Sequence, residues 1–353
     1  MTLAVPAAAT PERLTKILRR SGVLGDERVT DVRPESERNT LLSTWMRLRL
    51  TYDAGANASL PASLFFKTRR GDSTVTFEES GRREVEFYAQ VASLMPAGHV
   101  PRCFEAAMGA DGDWHLLLED LSASHEIVSE WPLPPTIEQC ERIVEAHARF
   151  HAFWWADARL GVSVGTFLDA GAFDRFFAAF RKQFSDFANR LGDRLSGDRR
   201  RIYERLIEAA PDLLARHRSR RDLTIIHGDA HTWNAFYPRD PGRDQVRLFD
   251  WDGWRIDVGT DDLAYMMAVH WYPERRRRLE RPCLERYHAA LVARGVRGYD
   301  FDALWQDYRL SVLWQLATPV WQAAHKLTPV IWWSHLERIM LAVEDLDALA
   351  FLR

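Results

Sequence analysis

Between residues 28 and 90 the apolar positions alternate or come in short runs. Segments 29–32 (VTDV), 44–52 (TWMRLRLTY) and 63–67 (SLFFK) read as β-strands, separated by polar turns bearing Gly and Asn such as 53–57. This pattern predicts an antiparallel meander. Upstream, Thr10-Pro11-Glu12 supplies the hydroxyl, proline and acid of a helix start. Leu14, Ile17 and Leu18 continue at helical spacing, and Gly22 can end the run, which predicts a leading helix over 10–21. Downstream, Val85, Tyr88, Val91 and Ala92 share one face of a helix expected over 81–94, closed by Pro96 and Pro101. Residues 114–119 (WHLLLE) predict a further strand.

From Pro134 onward the period becomes helical. Helices are predicted over 137–155, 173–191 and 200–217, the last with Pro211 as a point of interruption. A β-type interlude, 223–227 (LTIIH) and 246–250 (VRLFD), breaks the run. Helical spacing then resumes over 262–272, 275–293, 301–325 and 329–352. The expectation is an α+β fold in two parts. A small antiparallel-sheet part spans 1–118, and a large helical part spans 119–353 and carries the interlude. No internal repeat or low-complexity linker interrupts them.

Composition narrows the classes. With 353 residues and 46% hydrophobic content the chain can bury a large core. A net charge of −3 argues against a basic nucleic-acid binder and against an acidic tail. No apolar run reaches the roughly 18 residues that span a bilayer, and the first residues carry apolar groups and charges in the wrong order for a secretory signal. Cys103, Cys140 and Cys283 are far apart and odd in number, so three reduced thiols in a cytoplasmic protein are expected, with neither nucleic acid nor membrane as partner. Fourteen tryptophans read first as packing anchors and second as pocket wall. The runs 217–221 (HRSRR) and 275–278 (RRRR) read as solvated helix ends and faces.

The chemistry concentrates in 226–234 (IHGDAHTWN). Asp229 and Asn234 stand five positions apart on a loop that follows a strand. Moving a phosphoryl group to a hydroxyl requires a carboxylate that orients the hydroxyl and accepts its proton, and oxygen ligands for magnesium. Protein kinases separate these two residues by the same five positions. Asparagine suits the ligand role because it offers oxygen without further charge. Sixteen residues later, Asp250 ends the second strand of the interlude and supplies another carboxylate within 246–252. Side-chain oxygens from 229, 234 and 250 are expected around one metal-bound triphosphate.

The motif His-Gly-Asp-x-His-x-x-Asn at 227–234, followed by Phe249-Asp250-Trp251-Asp252, resembles the aminoglycoside phosphotransferase and choline kinase superfamily. Within it the chain looks most like the ecdysteroid-kinase-like group. Segments 148–155 (ARFHAFWW), 257–264 (DVGTDDLA), Tyr287-His288 and 298–300 (GYD) share in the resemblance. It implies a bilobal protein-kinase-like fold and an ATP- and Mg-dependent small-molecule kinase with an alcohol acceptor. Asp229 is then the base, and Asn234 and Asp250 are metal ligands. His227 and His231 shape the loop, and Asp262 braces it by accepting backbone hydrogen bonds. Lys67 reaches the phosphates, with Glu84 ahead of Glu86 as its partner because 84–88 (EVEFY) resembles the family's Glu-x-x-x-Tyr. Glu119 and Leu121 mark the hinge strand, whose backbone holds adenine.

One stretch departs from the kinase pattern. Residues 37–43 contain no glycine where kinases cover the phosphates with a Gly-rich loop. Asn39 can take a positive φ at modest cost, Thr40 and Ser43 are candidate donors, and Arg38 is a candidate positive charge near the phosphates. That departure motivates the alternative of a catalytically weak nucleotide-binding scaffold that regulates a partner. For the acceptor, Asp252, Trp254, His270, Trp271, Trp321, Trp332 and Trp333 are the wall candidates. An aminoglycoside needs a strongly acidic wall. The mixed charge here favours a sugar, a lipophilic alcohol or a choline-like amine.

Overall fold

The structure, a computed structural model, describes residues 3–352 apart from 41, 56, 58, 72–79, 110–111, 129–131 and 214–218. The chain forms α1 (Pro11–Arg20), β1 (Val29–Asn39), β2 (Ser43–Tyr52), β3 (Ser63–Arg69), α2 (Ser80–Gln90), β4 (Cys103–Met108), β5 (Trp114–Glu119) and β6 (His125–Ile127). Helices α3 (Ile137–Trp154), α4 (Ala170–Leu191) and α5 (Gly197–Leu213) follow. Next come short strands β7 (Leu223–Ile226), β8 (Ala235–Pro238), β9 (Arg247–Leu248) and β10 (Arg255–Val258). Helix α6 (Thr260–Ala264) runs into a π-helical segment, Tyr265–Val269. Helices α7 (Pro273–Ala293), α8 (Phe301–Trp314), α9 (Ala317–Ala324) and α10 (Pro329–Asp345) complete the chain before a final 3-10 turn at Ala348–Leu352.

Two compact units divide the chain: Met1–Ile127 with Ala235–Gly253, and Val128–Asn234 with Trp254–Arg353. The sequence reading draws one boundary, after residue 118. The first unit instead runs to Ile127 and takes in 235–253, because β6 pairs with β8 and β8 with β9.

In the first unit an antiparallel five-stranded sheet has the order β1-β2-β3-β5-β4. Alternation aims Leu48, Leu50, Leu64 and Phe66 at Leu14, Ile17 and Leu18 of α1, which together form the buried core. Thr10 caps α1 by accepting from the Arg13 N–H at 3.4 Å. Strand β1 is far longer than the expected 29–32. Its second half is polar, and it pairs with β2 as far as Asn39 opposite Thr44. Cross-strand ion pairs from Glu35 to Arg49 (2.7 Å) and Arg47 (3.2 Å) replace apolar contacts there, so hydrophobic alternation gives no sign of it.

In the second unit a capping box at Thr136 and Gln139 starts α3, which packs against α7. Strands β7 and β10 pair antiparallel, with Ile226 opposite Arg255. The helix expected over 301–325 is two helices. Pro319 sits in the first turn of α9, where it cannot bond back to Gln315. Pro211 lies inside α5 and does not end it before Leu213, while 214–217 fall outside the described residues.

The arginine run in α7 is not simply a solvated face. Arg276 is fully buried, pairs with Glu280 at 2.9 Å and bonds Asp345, and Tyr308 donates to Glu280 at 2.6 Å. The helix turns this one arginine inward, where pairing offsets its desolvation. Of the other run, His217 and Arg218 lie outside the described residues. All three cysteines are free. No helix among the described residues is long and apolar enough to cross a membrane.

Candidate active site

In the first unit, β3 delivers Lys67 and α2 delivers Glu84, both almost fully buried. Lys67 Nζ lies 2.5 Å from Glu84 Oε2 and 2.5 Å from Asp250 Oδ1, and 4.8 Å from the Trp45 ring centroid. Burial opposes the ammonium's charge, but Asp250 and then Glu84 outweigh it and hold its pKa above the ordinary lysine value. Burial pushes the Glu84 carboxyl up to about 6, against the pull of Lys67. Glu86 instead pairs with Arg82 on the surface, 2.9 Å away.

Asp250 stands two residues past β9 rather than on a strand end, at φ 69°. Aspartate tolerates this left-handed conformation better than most residues, though at a cost, and such strain collects at functional sites. Its neighbour Trp251 stacks on Phe87 with centroids 4.0 Å apart, and the Trp251 backbone N–H donates to Glu84. The Lys67–Glu84–Asp250 group is therefore locked from two sides.

Residues 37–39 continue β1, and Ser43 begins β2. Asn39 belongs to β1 and is absent from the residues with positive φ, so it does not use the left-handed conformation open to it. Its side chain accepts from the Thr44 hydroxyl at 2.7 Å. The Thr40 hydroxyl lies 2.9 Å from that of Ser43 and accepts the Ser43 N–H at 3.1 Å. The donors expected for phosphates are spent within the turn, because β1 and β2 pair right up to it. Leu41 lies outside the described residues. At the end of β5, Glu119 accepts from Arg102 N (2.7 Å) and Arg247 (2.5 Å). The Leu121 carbonyl accepts from Ser124 and His125, while its N–H has no acceptor among the described residues.

In the second unit, the loop after β7 is pinned from below. Asp262 on α6 accepts from the backbone N–H of His227 (2.7 Å) and of Gly228 (2.9 Å). Its Oδ2 also lies 3.2 Å from His151 Nε2 and 3.4 Å from His147 Nδ1, both on α3. Burial would raise the Asp262 carboxyl, but the two imidazoles outweigh it and keep it well below the usual carboxylate range. His151 is held in turn by the Tyr287 hydroxyl at 2.8 Å. Gly228 takes φ 80°, and beyond it the Asp229 N–H donates to His227 Nδ1 at 3.3 Å. Asn234 donates its amide to the Asp229 carbonyl and to Asp229 Oδ2, both at 3.0 Å, and His231 Nε2 lies 3.5 Å from the same oxygen. This loop presents one half-open carboxylate and one amide oxygen on a rigid support.

Comparison with known proteins decides the family. The description of the ecdysteroid kinase-like family matches residues 39–295. The chain belongs to that family. Its fold is the α+β, bilobal, protein-kinase-like one, and solved structures agree. A Ralstonia eutropha protein described as an aminoglycoside phosphotransferase aligns at TM-score 0.57 and 14% identity, over 96% of this chain and 98% of its own. An ethanolamine kinase of Plasmodium vivax aligns at 0.54 and 11%, over 91% and 82%. A choline/ethanolamine kinase family protein of Mesorhizobium loti aligns at 0.52 and 15%, over 98% and 96%. Among curated proteins no match is found.

The ecdysteroid kinase-like chain uses most of its candidate wall tryptophans as packing. Trp254 and Trp271 are buried, and buried Trp332 packs edge-on against Phe187 and donates to the Leu327 carbonyl at 3.2 Å. They offer little surface to a ligand. Trp321 is exposed and lies against His325, Trp333 is half-buried in a groove with Arg190 and Arg194, and Asp252 is half-buried in the first unit. His270 differs: its ring meets those of His231, Trp233, Tyr265 and His335 at 4.9–5.8 Å.

Sequence reasoning assigns no role to His147, His151, Tyr287 or His335. The i,i+4 spacing of His147 and His151 on one helix face was the available signal for the first two. Gly259 also belongs with them, since a Cβ there would stand 2.6 Å from the Tyr287 hydroxyl and 3.0 Å from His151 Nδ1. Gly259→Ala should cost about 1–3 kcal/mol, read as a lower midpoint in urea unfolding.

Burial, then Arg338 and His231, lower the His335 pKa to about 4, against a smaller upward pull from Asp229. An unfolded histidine titrates near 6.5. The unfolded chain therefore binds more protons below that pH, and this contribution to stability is lost as pH falls from about 6.5 towards 4. Replacing His335 by Gln, which cannot titrate, should flatten the fall of Tm over that range.

Proposed function

We infer that this chain is an ATP- and magnesium-dependent phosphotransferase that acts on a hydroxyl group of a small molecule. The observation that carries this reading is the braced loop 227–234, where Asn234 holds Asp229 by two hydrogen bonds, one to its backbone carbonyl and one to its carboxylate, and Asp262 holds the loop. Asp229 is then the group that orients the acceptor hydroxyl and takes its proton. Asn234 commits its amide N–H groups to Asp229, which leaves its oxygen for a cation. Asp250, a partly open carboxylate, is the second hard oxygen ligand. This donor set suits magnesium and would suit zinc poorly. When bound, magnesium offsets the phosphates' negative charge.

In the first unit, Lys67 is a point charge for the α- and β-phosphates, kept in place by Glu84. The open N–H of Leu121 is a donor for adenine, and the Glu119 side chain is occupied elsewhere. The family match supports this reading, and so do solved relatives named as an ethanolamine kinase and a choline/ethanolamine kinase family protein.

The committed hydroxyls of Thr40 and Ser43 favour one alternative, a scaffold that binds nucleotide without transferring phosphate. Calorimetric titration with Mg·ATP tests the nucleotide half of the reading. Wild type should bind, and Asp250→Asn and Lys67→Met should each bind at least about tenfold more weakly, the loss of one charged contact. Equal affinity in all three proteins would remove these residues from the nucleotide site.

A further inference from the structure

The π-helical segment Tyr265–Val269 leads directly into His270. Such segments are rare and collect at functional sites. Both ring nitrogens of His270 are buried, and neither has a hydrogen-bond partner among the described residues. Buried polar groups are nearly always paired, so an imidazole with both nitrogens unpaired marks a place where a ligand belongs. The place adjoins the loop that holds Asp229. His270 lies 5.3 Å from His231 between ring centroids, and His231 Nε2 is 3.5 Å from the Asp229 carboxylate.

The charge around it is as informative. His335, 4.9 Å from His270, lies with Nδ1 3.0 Å from the Gln322 side-chain oxygen. Facing an oxygen, that nitrogen carries the proton, so His335 Nε2 presents a lone pair. Burial first, and then the facing histidines and Arg338, hold both rings below the ordinary histidine pKa, so both are neutral at pH 7. Arg338 lies over the Tyr272 ring and donates to the carbonyls of Val269 and His270 at 3.3 and 3.4 Å. Arg338 bears on both rings, and the Asp229 carboxylate pulls weakly on His335.

We propose that His270 is a specificity-determining residue: its imidazole takes a second hydroxyl of the acceptor, beside the one phosphorylated, and the acceptor carries no ammonium group. This rests on the phosphotransferase reading above. An unpaired neutral imidazole offers one donor and one acceptor, which matches a hydroxyl. An ammonium would sit near Arg338 with no carboxylate to spare, because Asp229 is committed to the reacting hydroxyl. The site thus differs in kind from one built for an amino alcohol such as ethanolamine.

The test uses the full chain with Mg·ATP and three matched acceptors on each of several alkyl and alicyclic skeletons. These are the 1,2-diol, the mono-alcohol, and the amino alcohol in which the second hydroxyl is an ammonium. The diol should exceed both others by at least tenfold in kcat/KM. His270→Ala should reduce the diol's advantage over the mono-alcohol at least tenfold, chiefly through KM, and His270→Gln should restore part of it. A merely structural histidine would instead lower all three acceptors alike. Preference for the amino alcohols, or equal loss on all acceptors in His270→Ala, overturns the proposal and leaves the kinase reading standing. If wild type binds Mg·ATP and phosphorylates none of the alcohols, both fall.

Discussion

Asp229→Asn should lower kcat for phosphoryl transfer by about 10²–10⁴-fold, the range for loss of a positioned general base. The substitution is nearly isosteric, and its oxygen can still accept from the Asn234 amide, so the loop and the Tm should hold. Acceptor KM and Mg·ATP affinity should change little, because the lost interaction acts on the proton rather than on binding. Steady-state kinetics beside a nucleotide titration make the measurement. A loss under tenfold would remove Asp229 from the role of base.

Asp262→Ala should be the most damaging single substitution for stability in the second unit. The carboxylate is fully buried and accepts two backbone N–H groups while facing two buried histidines. Removing it orphans those N–H groups and takes from His147 and His151 the carboxylate they face, at a cost on the order of 3 kcal/mol or more. Tm should fall by about 5 °C or more, and activity should fall further than stability alone explains, since the loop at 227–234 loses its brace. Asp262→Asn keeps the shape and one acceptor oxygen, so its loss should be smaller. Thermal unfolding of the two variants side by side decides this. A Tm for Asp262→Ala within 1 °C of wild type would show that the loop does not depend on the brace.

How much of this was legible depends on the kind of contact. The meander was readable because Leu48, Leu50, Leu64 and Phe66 alternate against one core. The outer half of β1 was not, because ion pairs hold it and leave no hydrophobic period. The helices of the second unit were readable from their spacing, but the break at Gln315–Leu316 turns on Pro319, and its position in a new first turn shows only in three dimensions. Lys67 and Glu84 were paired from local pattern, and the structure brings them to 2.5 Å. That Asp250 joins them across 183 positions was invisible to local reasoning. The tryptophans Trp254, Trp271 and Trp332 looked like pocket walls because large aromatics serve both packing and binding, and only burial tells the two apart. His270 is the reverse case: both of its buried ring nitrogens lack a partner among the described residues, whereas His147 and His231 each leave one.

The most direct measurement is ³¹P NMR of the full chain incubated with Mg·ATP and a panel of hydroxyl-bearing metabolites. A phosphotransferase yields ADP together with a new phosphomonoester resonance on at least one acceptor, absent without magnesium and absent in Asp229→Asn. Saturable Mg·ATP binding with no phosphomonoester from any acceptor would contradict the account and leave the chain as a nucleotide-binding scaffold.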